Sequence, residues 1–246
     1  MSRFAKGLTL VQNAPRLNRS NLAAALSLIA GASGTSDVIV FSELSLNGYM
    51  LQDKLYEDAW QLDELDGLKE ASREIDIVIG AAIREANGFY NAALYFCRGE
   101  MIHIHHKVHL PNYGMFEEAR YFRPGNKIVS FETRFGRAAM LVCEDLWAAN
   151  LLEDLEDEHP DIIYVLAASP ARGFSDAGLE IEATWQKLLE KAAVEMESEV
   201  VFVNRVGFED GLGFWGGSRL LDSRGQIRHI CPKFESVIEV IEKEAI

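Results

Sequence analysis

The sequence predicts an α/β layered sandwich, with mixed sheets and helices on their outer faces. Three observations carry this. Strand-length apolar runs alternate with helical patterns in β-α-β-α-β order through the first part of the chain. Several runs are apolar at nearly every position, as in strands buried on both faces. The middle of the chain then changes to strand pairs around short turns, which adds antiparallel strands to a parallel set.

Leu8-Thr9-Leu10-Val11-Gln12 is the first expected strand. Ser20 stands where an N-cap belongs, ahead of a helix with apolar positions at Leu22, Leu26 and Ile29 and a stop at Gly31 or Gly34. Residues 37–41 form the second strand. Leu62, Leu65, Leu68 and Ala71 recur at helical spacing before a third strand over 75–83. Residues 92–96 and 101–105 flank a hairpin turn at Arg98-Gly99-Glu100, and 128–131 and 137–142 flank another at Arg134-Phe135-Gly136. A strand over 161–167 follows. Then comes a long helix with Trp185, Leu188, Leu189, Ala192 and Met196 on one face, and a strand over 199–203. A last hairpin turns at Asp222-Ser223-Arg224-Gly225. No fixed-period repeat and no Pro/Ser-rich linker divides the chain, so one domain over 1–246 is expected.

The formal net charge of −14 argues against a nucleic-acid binder, which needs Lys/Arg clusters for phosphate contacts. The three cysteines, Cys97, Cys143 and Cys231, form no CxxC pair and no zinc spacing, which fits a reducing compartment. Met1 to Gly7 has no signal-peptide apolar region. The apolar stretch 75–83 is too short to span a bilayer and is broken by Asp76. A cytoplasmic protein without membrane or nucleic-acid partners is the expectation.

Chemistry enters at three places where apolar sequence gives way to loop. Ala138-Ala139-Met140-Leu141-Val142 ends in Cys143-Glu144-Asp145, a thiol presented at a strand tip. The strand over 37–41 ends in Ser42-Glu43, and His106-Lys107-Val108-His109-Leu110-Pro111 sets a lysine before a proline-bounded loop. A free thiol is mostly protonated at neutral pH and needs a base, a positive neighbour, or both. Glu43 can take its proton. Lys107 can stabilise the thiolate and then the oxyanion of a tetrahedral intermediate, with the Glu144 N–H as a second donor. A buried lysine tends to lose its charge unless a second carboxylate holds it, and Glu118 can supply one. Together these groups point to covalent hydrolysis of a carbon–nitrogen bond.

Three passages resemble the signature regions of the nitrilase, or carbon–nitrogen hydrolase, superfamily. They are Phe41-Ser42-Glu43-Leu44-Ser45-Leu46-Asn47-Gly48-Tyr49, then Lys107-Val108-His109-Leu110-Pro111 through Phe116-Glu117-Glu118, and Leu141-Val142-Cys143-Glu144-Asp145-Leu146-Trp147. The resemblance runs from Gln12 to the Gly217-Ser218…Asp222…Gly225 hairpin. It implies a nitrilase-like α-β-β-α sandwich with two mixed sheets. It also implies a Glu43–Lys107–Cys143 triad, an accessory glutamate at Glu118 rather than Glu117, no cofactor, and a homo-oligomer built through a helical layer. Cys143-Glu144-Asp145-Leu146-Trp147 is similar to the glutaminase domains of glutamine-dependent NAD synthetases rather than to nitrilases, which usually show Cys-Trp-Glu. Pro111 to Phe116, and Asn204 to Gly207 leading to Gly216-Gly217-Ser218, are similar to that branch too. In that branch, residues matching Tyr113, Phe116, Glu144 and Ser169 line a glutamine pocket. Arg172 stands near the place of the branch's arginine, at a different spacing. The synthetase portion lies outside this sequence, and a stand-alone chain is the expectation.

Other readings remain for single residues. Cys97 and Cys231 read as small core hydrophobes. Glu144 reads alternatively as an ion-pair partner, and Tyr113 and Phe116 as loop packing. His103, His105, His106 and His109 lack a completing acid or cysteine cluster, so a polar strand face near the site rim is expected and no metal. The acidic run 153–158 reads as a solvated helix or loop, and Gly211, Gly213, Gly216 and Gly217 as turn glycines. The leading expectation is an amidase acting on a small amide through a cysteine thioester. The alternatives are a glutaminase feeding ammonia to a synthetase, a nitrilase, or an inactive binding subunit.

Overall fold

In first-sheet order, strands β16 (Val237–Glu242), β1 (Gly7–Gln12), β2 (Val38–Phe41), β3 (Asp76–Glu85), β4 (Gly88–Cys97) and β5 (Glu100–His106) lie side by side. The second sheet holds β6 (Phe131–Thr133), β7 (Gly136–Val142), β8 (Ile162–Ala167), β11 (Glu199–Asn204), β14 (Arg219–Leu221) and β15 (Ile227–Ile230). This is a computed structural model, and it describes Phe4, residues 6–148, Leu155, residues 158–176 and residues 178–242. Each sheet carries three neighbouring parallel strands, β1-β2-β3 and β7-β8-β11, edged by antiparallel ones. The two sheets therefore repeat one topology, although the sequence has no matching period.

Burial explains the layers. Alternate residues of β1 to β4, such as Leu8, Leu10, Val38, Val40 and Tyr95, meet Met140, Val142, Tyr164, Leu166 and Val201 between the sheets. The opposite face of the first sheet, with Ile39, Phe41, Ile77 and Ile79, is covered by Ala25 and Ile29 of the helix Asn21–Ala32 and by Leu68 of the helix Asp66–Ala71. The opposite face of the second sheet, with Leu141, Ile163, Val165 and Phe202, is covered by Trp185, Leu189 and Ala192 of the helix Glu180–Glu195. The parallel strands are thus apolar on both faces because both faces are covered. Each large side chain so buried contributes ~2 kcal/mol. The order of layers is α-β-β-α, as expected from the sequence.

Several details differ from the sequence expectation. Ser20 does not cap its helix; its hydroxyl donates to Asn18 instead. That helix buries Asn21, Ala25, Ile29 and Ala32, while Leu22 and Leu26 are only partly buried. The segment 128–130 is not strand, because the Ser130 N–H and hydroxyl donate to Glu158 and leave the ladder to Phe131–Thr133. The apolar face of Glu180–Glu195 is core: Trp185 and Leu189 are buried and Met196 packs beside them. Two short pairs were not foreseen, β9 (Phe174–Ser175) with β10 (Gly178–Leu179) and β12 (Val206–Glu209) with β13 (Leu212–Trp215). Most of the acidic run 153–158 lies outside the described residues. No helix among the described residues is long and apolar enough to cross a membrane.

Candidate active site

Strand ends assemble the site. Glu43 follows β2, Lys107 follows β5, Cys143 follows β7, and Ala168 and Ser169 follow β8, all at carboxyl ends. Glu43 turns sharply off its strand, with Leu44 at φ +49°. Gly80 on β3 makes room for this turn, since a Cβ there would sit 2.5 Å from the Ser42 carbonyl oxygen and 2.6 Å from the Leu44 nitrogen. Cys143 opens the 3₁₀ turn Cys143–Trp147 at φ +49°, a left-handed conformation that costs a non-glycine residue ~1 kcal/mol.

Asp145 holds that turn. Its Oδ2 accepts the Val142 N–H at 3.0 Å and lies 2.7 Å from His105 Nε2. Its Oδ1 accepts the N–H groups of Val108 and His109, each at 2.9 Å. Burial opposes ionisation, but the bonds from His105 and His109 win and hold the carboxyl well below the usual carboxylate range. One carboxylate thereby ties the Cys143-bearing turn to the segment after Lys107. The histidines are not a polar rim. His105 is buried against Asp145, His103 stacks on Phe131, and His106 stacks on Tyr90 beside Glu85. Burial, with His105 and His106 nearby, pushes His103 down to about 4, so it stays neutral at pH 7.

Lys107 is fully buried between two carboxylates. Its Nζ donates to Glu43 Oε1 and Glu118 Oε1, both at 2.8 Å. Desolvation disfavours the ammonium, yet Glu118 and Glu43 outweigh it and keep Lys107 charged well above its ordinary range. Glu43 Oε1 also accepts from Asn91 Nδ2 at 2.7 Å, and its Oε2 accepts the Ala168 N–H at 2.7 Å. Glu118 Oε1 takes a second bond, 2.7 Å from the Tyr49 hydroxyl. Burial raises Glu118 to about 7 against the pull of Lys107. Burial and the Glu43 charge push the Cys143 thiol well above its ordinary range, with Lys107 opposing. Cys143 is thus held as a neutral thiol near the Glu43 carboxylate rather than as a thiolate.

Cys143 lines a cavity of about 330 Å³, and so do Tyr113, Phe116, Glu144, Ser169 and Arg172. The Tyr113 hydroxyl donates to Glu144 at 2.9 Å; partial burial and that carboxylate raise the phenol to about 12. The Arg172 guanidinium lies 4.6 Å from the Phe116 ring centre, and its Nε and Nη2 are buried without a hydrogen-bond partner among the described residues. Ser169 Oγ accepts from the indoles of Trp185 at 2.8 Å and Trp215 at 3.3 Å, so its own O–H is left to donate. A smaller cavity of about 80 Å³ lies behind Tyr49 and Glu118. The structure thus gathers Glu43, Lys107, Glu118 and Cys143 in one place and Tyr113, Phe116, Glu144 and Ser169 around the adjoining cavity. Sequence reasoning missed Asn91, Tyr49, the Ala168 N–H and the clamp at Asp145. Asn91 left a signal, a lone amide inside the apolar strand Gly88–Cys97.

A four-layer sandwich with a thiol, an ammonium and two carboxylates at one strand-end cluster defines a hydrolase scaffold of the nitrilase type. A family model described as carbon-nitrogen hydrolase matches residues 7–241, and the chain belongs to that family. A glutamine-dependent NAD(+) synthetase from Acinetobacter baylyi is 30% identical over 206 residues, covering 81% of this chain and 36% of the relative. The chain spans less than half the length of the curated synthetases it matches. Among solved structures, a carbon-nitrogen hydrolase from Helicobacter pylori superposes with a TM-score of 0.87 at 19% identity, over 96% of this chain and 88% of that one. An amidase from Nesterenkonia sp. does so with a TM-score of 0.81 at 23% identity, over 98% and 91%. Both share the fold.

Proposed function

We propose that the protein is an amidase that hydrolyses the terminal carboxamide of a small amino acid through a thioester on Cys143, with release of ammonia. One observation carries this reading. The cavity that contains Cys143 is bounded by an acid, Glu144, and by a guanidinium, Arg172, two of whose nitrogens have no partner among the described residues. Such a cavity suits a ligand with an amino group at one corner and a carboxylate at another. The Ser169 O–H adds a donor for the carboxylate, and Phe116 and Trp147 flank an aliphatic stem. The amide end then faces Cys143.

The chemistry follows from the charges. Glu43 removes the thiol proton as Cys143 attacks the amide carbon, because a free-standing thiolate is disfavoured beside two carboxylates. The oxyanion is held by Lys107 Nζ and the Glu144 N–H. Glu43 returns the proton to the leaving nitrogen, the C–N bond breaks and ammonia departs. Glu43 next takes a proton from water, which attacks the thioester; the acid leaves and the thiol is regenerated. Asn91 and the Ala168 N–H keep the Glu43 carboxylate aimed through both half-reactions.

Relatives that are glutamine-dependent synthetases favour a second reading, a glutaminase whose ammonia passes to a synthetase. An ammonia-release screen over glutamine, asparagine, carbamoyl compounds and aliphatic amides, with Cys143→Ala alongside, tests both. Turnover of glutamine by the isolated chain supports the first reading. Turnover only when a synthetase is present supports the second. Equal activity in Cys143→Ala overturns both.

A further inference from the structure

A buried ion pair outside the reacting groups is aimed at them. Arg205, at the carboxyl end of β11, and Glu209, at the end of β12, are almost fully buried. Arg205 Nη1 donates to Glu209 Oε2 at 2.9 Å, and Nη2 donates to the Pro15 carbonyl at 3.3 Å. The other oxygen, Glu209 Oε1, accepts the backbone N–H groups of Tyr49 at 2.7 Å and Met50 at 2.5 Å. Among the described residues these two amides have no other partner, so the carboxylate satisfies two donors at once. The turn is pressed onto it: Gly48 stands at φ +84°, and a Cβ there would lie 3.0 Å from Glu209 Oε2. From this turn the Tyr49 side chain reaches across to Glu118, with Phe214 of β13 edge-on against its ring.

Resting on the amidase reading, we propose that Glu209, held by Arg205, is a positioning residue for the Lys107–Glu118 pair and acts through the backbone turn that aims the Tyr49 hydroxyl at Glu118. The argument is one of satisfaction and direction. Removing the carboxylate leaves two buried N–H groups unpaired, and the turn must rotate to reach another acceptor. Rotation withdraws the phenol. Glu118 then keeps Lys107 but loses its second donor, and its ionised form is less well stabilised. Sequence reading took Arg205 only as part of the Asn204 to Gly207 resemblance and passed over Glu209, because β12 and β13 are only four residues each.

The test is peptide-resolved iodoacetamide labelling of Cys143 against pH in the wild type, Glu209→Gln, Tyr49→Phe and the double variant. Glu118 is faced by Lys107, Glu43, Tyr49 and Cys143, and all four are intact in Glu209→Gln. Its charge opposes the thiolate, so its ionisation leaves a step in the labelling profile near pH 7. The step should move up by roughly 1 pH unit in Glu209→Gln, by a similar amount in Tyr49→Phe, and no further in the double variant. An unmoved step in Glu209→Gln, or shifts that add in the double variant, overturns the proposal. Where Glu209→Gln does not fold, Glu209→Asp keeps a charge beside Arg205 but draws it back by one methylene from the amides. The same upward shift is expected there, and a wild-type profile overturns the proposal. Labelling requires no substrate, so a failed amide screen and a failed labelling result are separate outcomes.

Discussion

Replacing Glu118 by glutamine should flatten part of the pH dependence of stability. Glu118 is 6% exposed, and burial raises its carboxyl from an ordinary 4.5 to about 7 despite Lys107. The folded protein therefore holds this proton more tightly than the unfolded chain. The sign follows: the stabilisation is full below pH 4.5 and is lost as pH rises through about 7. A displacement of that size corresponds to about 3 kcal/mol, most of which is lost between pH 5 and pH 8. Glutamine keeps the geometry, since its oxygen can still accept from Lys107 Nζ and the Tyr49 hydroxyl, but it carries no proton to lose. Urea unfolding of both proteins at pH 5 and pH 8 measures the difference. The wild type should lose about 2–3 kcal/mol more than Glu118→Gln over this interval. Parallel losses in the two proteins would show that Glu118 is ionised at both pH values and refute the reasoning.

Four further outcomes are expected. Glu43→Gln should lower amide turnover by ~10²–10⁴-fold and accumulate a mass adduct on Cys143, because deacylation also requires the base; an adduct on Cys97 or Cys231 contradicts this. Lys107→Ala should cost ~10²–10³-fold in kcat as an oxyanion donor, and ~3–5 kcal/mol of stability by leaving two buried carboxylates without a cation; unchanged unfolding midpoints would tell against the second part. Glu144→Gln should raise KM for an amide bearing an α-amino group more than for its des-amino analogue, and equal effects refute the pocket assignment. Light scattering at micromolar concentration should give the mass of a dimer or larger, and a monomeric mass removes that expectation.

Much of the fold was legible because each parallel strand carries a short, largely apolar run, and these runs are separated by helical spacing or tight turns. The candidate groups were legible for a related reason: Glu43 and Cys143 each follow an apolar run, where a charged or sulfur-bearing residue stands out, and Lys107 precedes a proline-bounded loop. What escaped was set by tertiary pairing. Val237-Ile238-Glu239-Val240-Ile241-Glu242 carries a strand-like pattern, yet only its pairing with β1 fixes it as an edge strand. The β12–β13 turn falls at Asp210-Gly211, both at positive φ, a strong hairpin signal hidden between strands of four residues. His105 could not be separated from its neighbours by spacing, since what distinguishes it is a bond to Asp145 from another strand end. The same holds for Tyr49, whose hydroxyl meets an acid 69 positions away.

The site depends on both sheets at once. Glu43 and Lys107 leave the first sheet, whereas Cys143 and the Ala168 N–H leave the second. Their spacing is therefore set by the inter-sheet core, where Val40 and Val78 meet Val142 and Leu166. Two non-glycine residues, Leu44 and Cys143, sit in the left-handed region at these strand ends, and such conformations persist only where the surroundings over-determine them. Gly80 supplies the space for one and Asp145 supplies four bonds for the other. A shift of either sheet by a fraction of an ångström would act on the Glu43–Lys107–Cys143 arrangement before it disturbed the folding of either layer. Core substitutions between the sheets, such as Val142→Ala, should thus lower kcat more than their ~1–2 kcal/mol cost in stability would explain. A variant of that kind with wild-type kcat and a lowered unfolding midpoint would mean instead that the strand ends hold the site independently of the core beneath them.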